Sequence, residues 1–172
     1  MDVPARLNLF LDVCFAVNHA HQKGAIHCDL KPSNILVNDK ANGPLVKVID
    51  FGISQVIKTP KFRLTQVVTV EGQVLGTPDY MAPEQFHSRK ATDTLSDIYS
   101  LGAILYELLI GSPPFCSRKS KHLSQEGLLR GERDFITPSA ALRSYEASDR
   151  IALARKRNLS TQELRRRVAQ DL

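Results

Sequence analysis

Residues 27–36 read His-Cys-Asp-Leu-Lys-Pro-Ser-Asn-Ile-Leu, a polar stretch that runs directly into an apolar one. Short runs rich in branched residues at 35–37 and 45–49 flank the turn-rich segment 38–44, and this pattern predicts a β-hairpin. Asp29 precedes the first strand and Asp50 follows the second. Strand pairing should therefore bring these two distant carboxylates together in one site.

Two further short motifs follow in the chain, Asp-Phe-Gly at 50–52 and Ala-Pro-Glu at 82–84. Together with residues 27–34 they resemble the catalytic loop, the magnesium motif and the substrate-loop anchor of a eukaryotic-type protein kinase. Lys31 is similar to the lysine of serine/threonine kinases as distinct from tyrosine kinases, and the segment 76–85 looks like the bacterial serine/threonine group. The resemblance implies a mainly α fold with a small β-hairpin, an α+β class, in the manner of a kinase C-terminal lobe.

The resemblance also implies a role for each polar residue of the site. Asp29 would accept the proton of the substrate hydroxyl and Lys31 would reach the transferred phosphoryl group. Asn34 and Asp50 would offer Mg²⁺, which accompanies ATP, the oxygen ligands that it prefers. Structural or substrate-loop roles fall to His27, Thr77, Glu84 and Asp97.

Some of these assignments have plainer alternatives. Asp-Phe-Gly alone is a weak signal, because it is also an ordinary strand-to-turn sequence. His27 could be a general base or a metal ligand, but we expect it to pack against the magnesium motif. A buried Asp97 should accept hydrogen bonds, because an unpaired buried carboxylate is costly. A kinase-like module that binds a protein without catalysis is the alternative to an enzyme.

Several kinase parts are absent from these 172 residues. No two glycines stand two apart, so no Gly-x-Gly-x-x-Gly loop is present, and no strand lysine with a helix glutamate precedes Asp29. We expect a partial kinase domain over 1–172, well matched over 5–117 and loosely matched over 118–172. It should lack the N-terminal lobe and the last helices, including the arginine partner of Glu84.

This incomplete domain has predictable consequences. Alone, the chain should bind ATP weakly and transfer nothing. The helices that carry Leu7 and Ile98 should leave apolar faces exposed, which favours a companion lobe or another protein partner beside the serine or threonine protein substrate.

Composition is that of one globular unit, with 42% hydrophobic and 24% charged residues. Three cysteines without a Cys-x-x-Cys pair disfavour a disulfide framework or a zinc site and favour the cytoplasm. The run from Ile98 to Ile110 is too short for a membrane segment. The basic groups 155–157 and 165–167 fit a solvated helical face, and nucleic-acid binding is disfavoured because no aromatic residues accompany them.

Hydrophobic spacing predicts the main helices. One helix passes through Leu7 to Ala20 and ends at Lys23-Gly24, and a second spans Thr94–Ile110, enclosed on nearly every face and stopped by Gly111. Residues 53–80 read as a long loop. Residues 145–157 fit a helix, and Ser-Thr-Gln-Glu at 160–163 is a capping box that opens another.

Cys28 is the clearest departure from the family pattern, which has an arginine that pairs with a phosphate on the activation loop. Cysteine cannot form that pair. We therefore expect that a complete enzyme with this loop would not depend on phosphorylation of Thr65 or Thr69 through it.

Overall fold

The computed structural model describes residues 1–40, 43–51, 78–87, 93–114 and 135–170. Within these ranges the chain forms helices and one two-stranded antiparallel sheet, which confirms the predicted α+β class. The elements are α1 (Val3–Gln22), β1 (Ile35–Lys40), β2 (Gly43–Val48), α2 (Pro83–His87), α3 (Thr94–Ile110), α4 (Pro138–Ser144), α5 (Ala147–Arg155) and α6 (Thr161–Gln170). Short 3-10 turns span Pro32–Asn34 and Pro78–Tyr80.

Helix α1 has a clear start and end. The Asp2 carboxylate accepts a hydrogen bond from the Ala5 amide at 2.9 Å and so caps the first turn. After Lys23 the chain leaves the helix through Gly24, whose φ of +75° suits glycine. The end of α1 lies where the sequence predicts it, and the start lies one turn earlier.

The hairpin follows directly on the 27–34 loop. Ile35 pairs with Val48 and Lys40 with Gly43, so both strands extend further toward the turn than the branched runs predict. Side chains of Ile35, Val46 and Val48 pack with Val13 of α1 in one of two apolar clusters. This packing fixes the hairpin against α1, and with it both chain segments that carry the candidate site.

Helix α3 has the predicted bounds because both ends are strongly marked. The Asp93 carboxylate accepts a hydrogen bond from the Leu95 amide, and Gly111 ends the helix with a φ of +87°. The helix joins the two apolar clusters, one with α1 and the hairpin and the other with α4–α6. Its first turns differ from the prediction of an enclosed helix, because Leu95 and Ile98 are 66% and 56% exposed.

The two basic groups lie at the end of α5 and within α6: Arg155 is the last residue of α5, Lys156 and Arg157 follow it, and 165–167 belong to α6. The Ser160 hydroxyl accepts a hydrogen bond from the Glu163 amide at 3.1 Å, as a capping box requires. The Glu163 carboxylate bonds Arg167 instead of returning to the cap. Arg157 contradicts the expected solvated face, since it is only 2% exposed. It donates to the Leu108 carbonyl at 2.8 Å, and the negative end of the α3 dipole favours a cation there.

Exposed apolar side chains follow one face of α1 at four-residue intervals. Leu7, Leu11 and Phe15 are 39%, 51% and 69% exposed. The prediction of exposed apolar surface on this helix and at Ile98 agrees with these values. No helix among the described residues is long and apolar enough to cross a membrane.

Candidate functional site

Three polar residues of the 27–34 loop meet at its centre. The Lys31 ammonium donates to the Asp29 carboxylate at 2.8 Å. The Asn34 side-chain amide donates to the Asp29 backbone carbonyl at 2.9 Å and lies 3.5 Å from its carboxylate. Asn34 is buried, whereas the Asp29 side chain is 44% exposed. The loop therefore presents one carboxylate to solvent and fixes it from within.

The hairpin brings Asp50 to the same end of the fold. The Ile49 amide donates to the Asn34 carbonyl at 2.9 Å. The Ile49 carbonyl in turn lies 2.9 Å from Nε2 of His27. Residue 49 is thus held from both sides by the 27–34 loop. Asp50 follows it directly, exposed and with a φ of +59°.

His27 is a fully buried connector between the two segments. Its Nδ1 accepts a hydrogen bond from the Asp29 amide at 3.3 Å, which assigns the ring proton to Nε2 and makes the Ile49 carbonyl its acceptor. The ring lies 4.8 Å from that of Phe51. The ring nitrogens are therefore occupied by structural contacts, and His27 orients the loop.

Asp97 of α3 holds the start of the 27–34 loop. It is completely buried, and its carboxylate accepts hydrogen bonds from the His27 amide at 2.9 Å and the Cys28 amide at 2.8 Å. Its third partner is Nε2 of His21, at 2.7 Å. Charge-assisted bonds of this kind are stronger than neutral ones. The carboxylate thus ties the end of α1 and the loop to α3.

Helix α2 contacts the loop through a residue that the sequence did not single out. The Gln85 side-chain amide donates to the Cys28 carbonyl at 2.7 Å, and its oxygen accepts from the Ala82 amide at 2.8 Å. Glu84 accepts a hydrogen bond from the Ser96 hydroxyl at 2.6 Å. Gln85 and His21 gave no sequence signal beyond their positions next to Glu84 and at the end of α1.

Two non-glycine residues of the site have left-handed backbone angles. Cys28 has a φ of +64° and Asp50 a φ of +59°. Such conformations cost on the order of 1 kcal/mol each and recur at functional sites. Thr77, Gly52, Thr65 and Thr69 lie outside the described residues. Of the predicted site, the structure therefore joins the loop, Asp50 and Asp97, with Glu84 on the neighbouring helix.

Comparison with known proteins defines the class. A family model described as the protein kinase domain matches residues 4–163, so the chain belongs to the protein kinase family. The predicted boundary at residue 117 stays a prediction.

Its relatives are bacterial serine/threonine-protein kinases. PknB of Mycolicibacterium smegmatis is 43% identical over 109 residues, which cover 63% of this chain and 16% of that protein. PknB of Mycobacterium tuberculosis is 39% identical over 134 residues, covering 78% and 20%. Pkn1 of Myxococcus xanthus is 46% identical over 112 residues, covering 64% and 15%. The chain thus spans about a fifth or less of the length of these relatives.

Proposed function

We propose that this chain forms the C-terminal lobe of a serine/threonine protein kinase, which transfers the γ-phosphoryl group of ATP to serine or threonine hydroxyls of proteins. The observation that supports it most directly is the contact of Asp29 with Lys31 and Asn34 on a loop that Asp97 holds. Phosphoryl transfer depends on positioning and charge neutralisation more than on covalent chemistry by the protein.

Asp29 acts as the proton acceptor in this proposal. Its partly exposed carboxylate takes the proton of the substrate hydroxyl while that oxygen forms its bond to phosphorus and the bond to the leaving diphosphate breaks. Lys31, now 2.8 Å from Asp29, supplies positive charge beside the phosphoryl group in transfer. In this proposal Asp29 is therefore both the ion-pair partner of Lys31 and the general base.

Asn34 and Asp50 are the proposed ligands of Mg²⁺. The Asn34 amide nitrogen is turned toward Asp29, so its amide oxygen remains for a cation. Together with the Asp50 carboxylate this gives the oxygen donors that suit Mg²⁺, which usually keeps waters and phosphate oxygens as further ligands. When bound, the ion would neutralise charge on the phosphates. Among the described residues no three His, Cys, Asp or Glu side chains group as a metal site.

A second lobe is needed to enclose the nucleotide, because these residues contain no glycine-rich loop or strand lysine. The hairpin has apolar side chains that such a lobe would cover: Leu36 and Leu45 are 49% and 38% exposed. The chain by itself then binds ATP weakly and transfers nothing. A cytoplasmic location fits three cysteines that include no Cys-x-x-Cys pair, and the burial of Arg157 weakens the case for nucleic acid.

A non-catalytic protein-binding module is the second proposal. It is favoured by the exposed stripe Leu7, Leu11 and Phe15 and by Cys28 in place of arginine. Both proposals predict a protein partner, but only the kinase proposal predicts a metal-dependent nucleotide site.

Thermal unfolding with ATP and Mg²⁺ separates the two, since a ligand that binds the folded state raises the apparent melting temperature. The expected shift is lost in Asp50→Asn and kept in Asp12→Asn, an exposed carboxylate on α1. In the complete kinase, Asp29→Asn should lower kcat by about 10²–10⁴-fold, the usual contribution of a general base. Nucleotide binding that ignores Asp50, or full activity of Asp29→Asn, would refute the kinase proposal.

A further inference from the structure

A cavity of about 530 Å³ opens between α1, the hairpin, the second half of α3 and α5. Sites for small molecules usually have about 300–1,000 Å³. Asp29, Lys31 and Asp50 do not line it, so it is distinct from the proposed phosphoryl-transfer site, although Pro32 of the 27–34 loop contributes to its wall.

One end of the cavity is apolar. Phe10 and Val13 of α1 meet Ile35 and Val46 of the hairpin there, and these residues share one apolar cluster. Val37 also lines this end and is 48% exposed. An apolar surface of this kind favours an apolar part of a ligand, because burial removes it from water.

The other end is basic. Arg6, Lys156 and Arg157 line it, and Arg6 and Val13 lie seven residues apart on α1, which separates the two ends by about 10 Å. Desolvation by burial, together with the charge of Arg6, lowers the pKa of the Arg157 guanidinium to about 10. Arg6 and Arg157 therefore repel each other as like charges, and Lys156 lines the same cavity.

Arg157 is an incompletely compensated buried cation. Its two terminal nitrogens donate to the carbonyls of Leu153 and Leu108, at 3.2 and 2.8 Å. Within the described ranges its Nε has no hydrogen-bond partner, and no ion pair joins any of the three cations to a carboxylate. Two carboxylates also line the cavity: Glu107, which accepts a hydrogen bond from the Tyr80 hydroxyl, and Asp149 of α5. Against three cations they leave an excess of positive charge in the lining. A buried positive charge without an anion is costly, so this end favours an anionic group.

We propose that the cavity binds an anionic amphiphile, a carboxylate with an alkyl tail of medium length. The carboxylate lies at Arg6, Lys156 and Arg157, and the tail follows Phe10 and Val37 along the hairpin. A small inorganic anion would leave the apolar end empty, and a neutral lipid would leave the cations uncompensated. Both properties of the cavity are met by one ligand.

Titration calorimetry with dodecanoate, below its micelle concentration, tests the proposal on this chain. Val37→Trp fills the apolar end, and Leu36→Trp is its control, because Leu36 is 49% exposed on the same strand and does not line the cavity. Lys156→Ala removes an exposed cation of the basic end. Arg155→Ala, the exposed neighbour outside the cavity, is its control.

Dodecanoate should bind at least tenfold more weakly to Val37→Trp and about two- to fivefold more weakly to Lys156→Ala, as the loss of one exposed ionic contact predicts. Both controls should bind like the wild type. Dodecyltrimethylammonium, which has the same tail and the opposite charge, should bind much more weakly.

Three outcomes would overturn the proposal. Equal affinity for the two dodecyl compounds would make the cavity a mere apolar patch. Equal effects of Val37→Trp and Leu36→Trp would place binding elsewhere. A dimer in sedimentation that Val37→Trp dissociates would assign the cavity to a second copy of the chain. Because Lys156 is exposed, its variant keeps the test valid if the tryptophan variant fails to fold.

Discussion

The buried carboxylate of Asp97 holds residues 27 and 28. Asp97→Asn replaces this carboxylate with an amide of the same shape. Asparagine has one acceptor oxygen in place of two, and its amide nitrogen would face a donor. At least one of the three bonds at 2.7–2.9 Å is then lost and a buried donor is left unpaired. Removing one member of a buried charged network costs about 3–5 kcal/mol, and we expect a loss of unfolding free energy of that size.

Guanidinium unfolding followed by circular dichroism measures this loss. Hydrogen exchange of the His27 and Cys28 amides reports the loop itself, because local opening exposes amides that a tether protects. The matched control is Asp93→Asn at the cap of the same helix, where asparagine caps about as well as aspartate and the expected change is below about 0.5 kcal/mol.

If Asp97→Asn unfolds at the same denaturant concentration as Asp93→Asn, and both loop amides stay protected, then the carboxylate does not hold the loop. A loss of protection without a loss of stability would instead show that the loop opens independently of the core.

Three further predictions concern single positions. Gly111→Ala should lower the unfolding free energy by about 1–2 kcal/mol, because a left-handed backbone disfavours alanine and its Cβ would lie 2.9 Å from Leu153. Gly102→Ala, a helical position with open space around it, should raise the unfolding free energy by about 0.5–1 kcal/mol, and equal effects of the two variants would contradict this. Burial raises the pKa of Tyr106 to about 12, so the stability it confers is complete below about pH 10 and is lost as the pH rises through 12. As the pH rises from 10 through 12, the unfolding free energy of Tyr106→Phe should therefore fall by about 2–3 kcal/mol less than that of the wild type, and parallel losses would count against the raised pKa. Gln85→Glu should destabilise the protein more than Gln85→Ala, because both lose the donor to the Cys28 carbonyl but only glutamate places a negatively charged acceptor against that carbonyl oxygen; the reverse order in denaturant unfolding would disprove the contact.

The sequence predicts those parts of the fold that local chemistry specifies. Helix α3 has the predicted bounds because Asp93 and Gly111 mark its ends within one turn. The hairpin is predicted because a turn-rich segment separates two branched runs, and its register places residue 49 beside Asn34. Motif spacing and strand pairing were enough to anticipate that Asp50 returns to the loop of Asp29.

Contacts between distant residues are not predictable in this way. Gln85 bonds a carbonyl 57 residues earlier, and His21 bonds a carboxylate 76 residues later. Glutamine and histidine are common on helices, so neither position stands out. The basic triplet 155–157 predicts a solvated face, yet the loop after α5 turns Arg157 toward the Leu108 carbonyl near the end of α3. Such residues become visible only when the helices are packed.

The backbone angle at residue 28 limits which amino acids this position accepts. A φ of +64° admits glycine freely and asparagine or aspartate with little penalty, whereas valine, isoleucine and threonine clash at their branched Cβ. A saturation library at codon 28, sorted for correctly folded molecules, should therefore be enriched in the first group and depleted of the second. Arginine and cysteine should score alike, so evolution could exchange them here without paying in foldability.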